Sequence, residues 1–110
     1  MSIWKVESIE NEPSLRLRDW RVYEVLGVCG GEPSRHFVGT QLGSQSGRVS
    51  SGIAKYDSAA RKGVTQSGRV YELIGRPGWS SDGDYVWNAY CRLNSARDVR
   101  DVTASLVAPP

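Results

Sequence analysis

Apolar and polar positions alternate most clearly from Leu15 onward. Leu15 and Leu17 alternate with Arg16 and Arg18, and then the apolar phase moves to Trp20 and Val22. A one-residue slip exchanges the two faces of a strand. The pattern therefore predicts a long strand from Leu15 to Val28 with a bulge near Arg18-Asp19. Beyond the slip, Tyr23 and Val25 lie opposite Val22 and Leu26, as expected of a central strand covered on both faces. Gly30-Gly31-Glu32-Pro33 is a turn signal, and His36 to Leu42 reads as the return strand of a hairpin. Before this hairpin, Trp4 and Val6 alternate with Lys5 and Glu7 between Ile3 and Ile9. That stretch permits a strand, and Glu10 to Ser14 reads as a turn.

After a small-residue linker, Arg48 to Tyr56 reads as a third strand and Asp57 to Gly63 as a turn. Val64-Thr65 then leads into the tight turn Gln66-Ser67-Gly68, where glycine supplies a positive φ. Arg69 to Ile74 is the next strand, rich in β-prone Val70 and Tyr71. Gly75-Arg76-Pro77-Gly78 stops it. The period then changes. Val86, Ala89, Tyr90 and Leu93 recur at helical spacing. Asp82 and Asp84 sit at the start and Arg92 at the end, where the helix dipole favours them. A helix from Asp82 to Asn94 is predicted. The tail from residue 97 to 107 fits either period, and Asp101-Val102-Thr103 tilts it toward a strand. The expected fold is α+β: one domain over residues 1–110, with an antiparallel, twisted sheet of about five strands and one main helix on one face.

Two short segments match, Ser46-Gly47-Arg48-Val49 and Ser67-Gly68-Arg69-Val70. The residues that follow them diverge, so they read as recurring turn chemistry and not as a repeat architecture. Residues Val49-Ser50-Ser51, Ile53, Tyr56-Asp57, Val64-Thr65, Ser67 to Tyr71, Leu73, Gly75 and Pro77-Gly78 together form a wider pattern. It resembles one found in small uncharacterised bacterial proteins, some of which travel with phages or other mobile elements. The resemblance covers about residues 48–78. It implies a β-meander there, and it implies no activity.

Charge narrows the picture little. The net charge is +2, too mild to require nucleic acid or an anionic membrane as partner. Seven basic and six acidic residues precede Asp57, and the same numbers follow from it, so there is no basic tail. No apolar run approaches a membrane span, and the start lacks the apolar core of a secretory signal. These features lead to an expected cytoplasmic location. Cys29 and Cys91 are then expected to be reduced thiols.

Candidate chemistry is sparse. A metal site needing more than one imidazole is excluded, because His36 is the single histidine. Between Arg35 and Phe37, His36 reads as a cross-strand surface residue, since catalysis would need a nucleophile or carboxylate beside it. Cys29 reads as a strand-end thiol and Cys91 as a core residue. Glu7, Glu10 and Glu12, and likewise Asp82-Gly83-Asp84, lack the ligand spacing of a calcium loop. No cofactor is implied. The strongest candidate is a mixed set of guanidinium and aromatic groups: Arg48, Arg69 and Arg76 with Tyr56, Tyr71 and Trp79. On adjacent strands these could anchor a protein partner or stack bases and touch phosphates. The expected role is a small non-enzymatic binding or accessory domain acting through protein contacts or as a homodimer. The alternative is a nucleic-acid-binding accessory protein, and an enzyme of unrecognised type ranks third.

Overall fold

The phase slip in the first long strand is the feature around which the sheet is organised. The computed structural model describes residues 12–107, so the strand allowed at residues 3–9 lies outside the described residues. Strand β1 (Ser14–Cys29) runs for 16 residues. Its register against β2 (Glu32–Gln41) shifts between Arg18 and Arg21. Asp19 sits there with φ 51, a left-handed conformation that Asp tolerates better than most residues. The bulge puts Leu15, Leu17, Trp20 and Val22 in one core, while Val25 joins a second core on the opposite face. The central position predicted for this strand is the one observed.

The remaining strands are β3 (Gly47–Val49), β4 (Ile53–Asp57), β5 (Lys62–Thr65), β6 (Val70–Leu73) and β7 (Arg97–Asp101). Among the described residues they make a seven-stranded sheet in the order β3-β2-β1-β6-β5-β4, with β7 paired to β1 off that path. The α+β class is as expected. Two details differ. The sheet has seven strands where about five were expected, and it is mixed, because β6 runs parallel to β1 with Ser14 against Val70 and Leu17 against Leu73. The β4-β5-β6 meander is antiparallel and crosses as a unit to the free edge of β1. Nothing in a strand's own alternation fixes which edge it joins.

The single strand expected from Arg48 to Tyr56 is split at Ser50. The Phe37 N–H donates to Ser50 Oγ at 2.9 Å, and the Ser50 N–H donates to the Phe37 carbonyl at 2.9 Å. This exchange ends the β2-β3 ladder. The chain then turns away, and Gly52 accepts from the Gln66 N–H at 2.7 Å. As a result β4 and β5 fold over the face of β2. The Phe37 ring packs at 6.1 Å from Tyr56 and 5.6 Å from Tyr71. A Cβ at Gly63 would press into the Phe37 ring, 2.7 Å from Cε2.

Helix α1 (Ser81–Leu93) matches the predicted helix to within a residue at each end. It lies on the other face of β1 and β2 and buries Trp87 against Val25 and Val38. Leu93, predicted on its apolar face, is instead 70% exposed. The buried positions are Gly83, Trp87 and Ala89. The tail uses both periods in turn. β7 is followed by a single helical turn, α2 (Thr103–Val107). Asp101 Oδ1 stops the strand by accepting from the Thr103 N–H at 3.0 Å.

The outer edge of β1 has partners along its length from Ser14 to Leu26. β6 takes its first residues, the Ile74 N–H donates to the Leu17 carbonyl and the Gly78 N–H to the Trp20 carbonyl. Thr103 Oγ1 accepts from the Val22 N–H at 2.9 Å, and β7 takes Tyr23 to Leu26. A buried backbone group without a partner would cost as much as a lost hydrogen bond. Two stretches of chain, 70–78 and 97–103, share the task of preventing that here.

Candidate functional site

Helix α1 begins where two glycines let backbones meet. A Cβ on Gly83 would come within 2.9 Å of the Gly39 carbonyl oxygen in β2. The cap is Ser80, whose Oγ accepts from the Gly83 N–H at 2.9 Å and lies 2.6 Å from Thr40 Oγ1. The helix start is therefore fixed to the sheet by a side-chain pair that is buried on both sides. Just before the cap, Trp79 projects outward and is 57% exposed; Tyr85, in the second turn, is 66% exposed. Trp79 lines a shallow notch with Asp19, Arg21, Ser80 and Asp84. Arg21 donates to Asp101 at 2.7 Å through Nη1. Its Nε is the one buried side-chain nitrogen or oxygen with no hydrogen-bond partner among the described residues.

The six residues singled out in the sequence do not share one face. Arg48 and Arg69 are 8% and 5% exposed, and Tyr71 is 2% exposed. Arg48 Nε donates to Tyr71 Oη at 3.3 Å, Nη1 donates to Gln41 Oε1 at 3.5 Å, and Nη1 lies 3.7 Å from Glu12 Oε1. Arg69 Nε donates to the Glu12 carbonyl oxygen at 2.8 Å. The two arginines of the matching tetrapeptides thus converge on one residue, Glu12, from opposite sides of the sheet path. Tyr56 is half-buried against Phe37, and burial raises its phenol pKa. Arg76 and Trp79 are exposed in and just after the loop that precedes α1. The structure brings together Arg48, Arg69 and Tyr71, sets Tyr56 against the same Phe37 ring as Tyr71, and leaves Arg76 and Trp79 exposed in the segment before α1.

Beside this network lies a cleft of about 340 Å3. Arg16, Lys62, Glu12, Glu72 and Gln41 line it, and Glu72 stands beside both Arg16 and Lys62 in the strand register. The opposed charges nearly cancel, so the cleft has no field of one sign to select an anion or a cation. Gln41 also donates to Glu12 Oε2 at 2.9 Å, which leaves the wall engaged within the protein.

No protein-family model matches this chain, and neither a curated protein nor a solved structure matches it. The functional reading therefore rests on the residues themselves.

His36 is fully buried, which corrects the surface position expected for it. Its side chain points to the α1 face of β2, where Trp87 and Tyr90 cover it at ring distances of 5.8 and 5.4 Å. Nδ1 lies 2.8 Å from the Ser50 carbonyl oxygen, which can only accept, so Nδ1 carries the proton of the neutral ring. Nε2 then accepts from Ser34 Oγ at 2.8 Å. Burial lowers the imidazole pKa, against a smaller upward pull from the Ser50 carbonyl. This is a satisfied core histidine. Cys29 and Cys91 are both free thiols and half-buried. Burial raises the Cys91 pKa, the opposite of what a reactive thiolate needs. Among the described residues no group of three or more His, Cys, Asp or Glu could hold a metal ion, and no helix is long and apolar enough to cross a membrane.

Tyr85 and Arg21 were missed in the sequence. Tyr85 carried a usable signal: once Trp87 and Gly83 face the sheet, a residue two positions before Trp87 must face away. Arg21 carried none, because its partner Asp101 is on a strand whose pairing no local pattern announces.

Proposed function

We propose that this protein is a small non-enzymatic binding module that acts through protein contacts, using the N-terminal end of α1 as its contact surface. One observation carries the reading: two large aromatic side chains, Trp79 and Tyr85, are more than half exposed on a segment held from below by the Ser80-Thr40 pair and the Gly78-Trp20 backbone bond. Exposed Trp and Tyr are the residue types that dominate interface hot spots, and a pre-ordered base reduces the entropy lost on binding. Arg21 at the same notch adds a guanidinium. The nucleic-acid alternative draws less support, because Arg48 and Arg69 are bonded within the fold and Arg76 is the exposed cation of the three. The enzymatic reading draws less support, because neither His36 nor Cys29 lines either cleft described above.

The test is a photo-crosslinking amino acid at position 79, with a control at Val64, which is 37% exposed on β5. In cells of the source organism, position 79 is expected to give a discrete cross-linked protein that Val64 does not, and Tyr85→Ala should reduce it. Equal labelling from both positions, or none from 79, would overturn the proposal. Fluorescence anisotropy with labelled single-stranded DNA and RNA forms the second arm. Binding that weakens with salt and disappears in Arg76→Ala would favour the alternative.

A further inference from the structure

Strands β2, β1 and β7 run on beyond the core. On the face away from α1 the pair Val22-Phe37 is buried, and the next pair along that face is Glu24-Arg35. Glu24 also stands opposite Arg100 on β7, and Leu26 stands opposite Arg97. β7 therefore holds one extra residue: Asp98 and Val99 together oppose Val25, and Asp98 is left-handed at φ 54. In a regular strand, positions 97 and 100 would point to opposite faces. The bulge brings both arginines to one face, in line with Glu24 and Leu26.

Here lies a cleft of about 230 Å3, lined by Glu24, Val25, Leu26, Pro33, Asp98 and Arg100. We propose that it is a binding site for an apolar carboxylate, a small molecule or chain end whose apolar body packs on Leu26 and Pro33 and whose carboxylate is taken by Arg100 and Arg97. That inference stands apart from the proposed contact surface at Trp79. A lining of apolar groups with a few charged ones is the usual form of a small-molecule site. The volume is below the about 300–1,000 Å3 of sites for drug-sized ligands, so the ligand is smaller than those.

Glu24 is the group that prepares this site. Its side chain is 15% exposed. One oxygen accepts from Arg35 Nε at 3.1 Å, and the other accepts from Arg100 Nη2. The hydrogen bonds from Arg100 and Arg35 hold its carboxyl below the usual range, so it is ionised and already engaged at neutral pH. Each guanidinium gives Glu24 one nitrogen and keeps two. Arg100 is thus anchored while its side chain stays 71% exposed. A guanidinium matches a carboxylate through paired N–H donors, and a donor already held in place loses less entropy on binding. Arg97 makes no hydrogen bond or ion pair among the described residues. Asp98 also lines the cleft. Arg35, Arg97 and Arg100 set against Glu24 and Asp98 still leave a positive surplus at the rim, which favours an anion. The larger cleft beside Glu12 has no such surplus, because its two cations meet two carboxylates.

The probe is isocaproate, titrated into the isotope-labelled full chain at neutral pH and followed through backbone amide chemical shifts. Saturable shifts are expected at Leu26, Arg97 and Arg100, with the millimolar affinity usual for so small a ligand. Isocaproamide has the same shape without the charge and should bind at least about tenfold more weakly. Arg100→Gln, at an exposed position, should weaken isocaproate at least about tenfold and leave the amide unchanged. Trp79→Ala should alter neither. A short peptide ending in leucine, beside its C-terminal amide, separates the sources of the carboxylate. Tighter binding of the peptide acid than of isocaproate assigns the site to a polypeptide C-terminus, and the reverse order assigns it to a free small acid. Absence of saturation, equal affinity for acid and amide, or undiminished binding in Arg100→Gln would overturn the proposal.

Discussion

Arg48 illustrates how a charged residue in a turn motif becomes part of the interior. Its guanidinium is held by Tyr71, Gln41 and Glu12 and is 8% exposed. Removing one member of a buried polar set leaves the others unpaired. Arg48→Ala is therefore expected to destabilise the fold by ~2–3 kcal/mol, seen as a lower midpoint in urea; a change below ~0.5 kcal/mol would show that the network is loose. His36 gives a pH signature. Its folded pKa is lowered, so below about pH 6.5 the unfolded chain binds a proton that the folded chain does not. Stability is complete above that pH. It declines as pH falls from the unfolded value toward the folded one, and is level below both. Urea titrations from pH 7.5 to 5 should show this decline, and it should flatten in His36→Gln. Neither residue's setting was legible locally. The same Ser-Gly-Arg-Val letters fit an exposed turn, and burial of the arginines depends on where Glu12 comes to lie. Likewise His36 between Arg35 and Phe37 takes its character from a helix some fifty residues further along the chain.

At the level of elements, what could be read was what depends on neighbours in sequence. The bulge at Arg18-Asp19, the left-handed Gly68 turn and the limits of α1 follow from phase, turn chemistry and capping, and each is found where it was predicted. The parallel β1-β6 pairing and the break at Ser50 depend on distant partners, and these are the details that changed. Helix docking offers a test with competing signs. Gly83→Ala raises intrinsic helix propensity by about 1 kcal/mol, but its methyl would meet the Gly39 carbonyl at 2.9 Å. Net destabilisation is expected, because the backbone opposite cannot withdraw without breaking the β1-β2 ladder. A stabilised variant would show that α1 rides more loosely than its contacts indicate. Ser80→Ala removes the cap and leaves Thr40 Oγ1 without its buried partner, and should cost about 1–2 kcal/mol, measured by thermal denaturation.

For the whole molecule, the sheet separates two cores. Leu17, Trp20, Phe37, Tyr71 and Leu73 fill one side, and Val25, Val38 and Trp87 the other. Trp20 and Trp87 are buried while Trp79 is exposed. Trp79→Phe should therefore shift the emission maximum to shorter wavelength and reduce acrylamide quenching; an unchanged spectrum would place Trp79 against protein. The division of labour along the outer edge of β1 also has a consequence for the order in which the chain is made. Ser14 finds its partner at Val70 and Tyr23 finds its partner at Asp101, so the first hairpin emerges during translation with one side bare. Such distant pairings slow folding, and a bare strand edge invites intermolecular association. A nascent chain halted after residue 95 would carry the Tyr23–Leu26 edge unpaired. The last dozen described residues thus act as the closing seam of the molecule, and the interval before they arrive is when the newborn protein has most need of a chaperone.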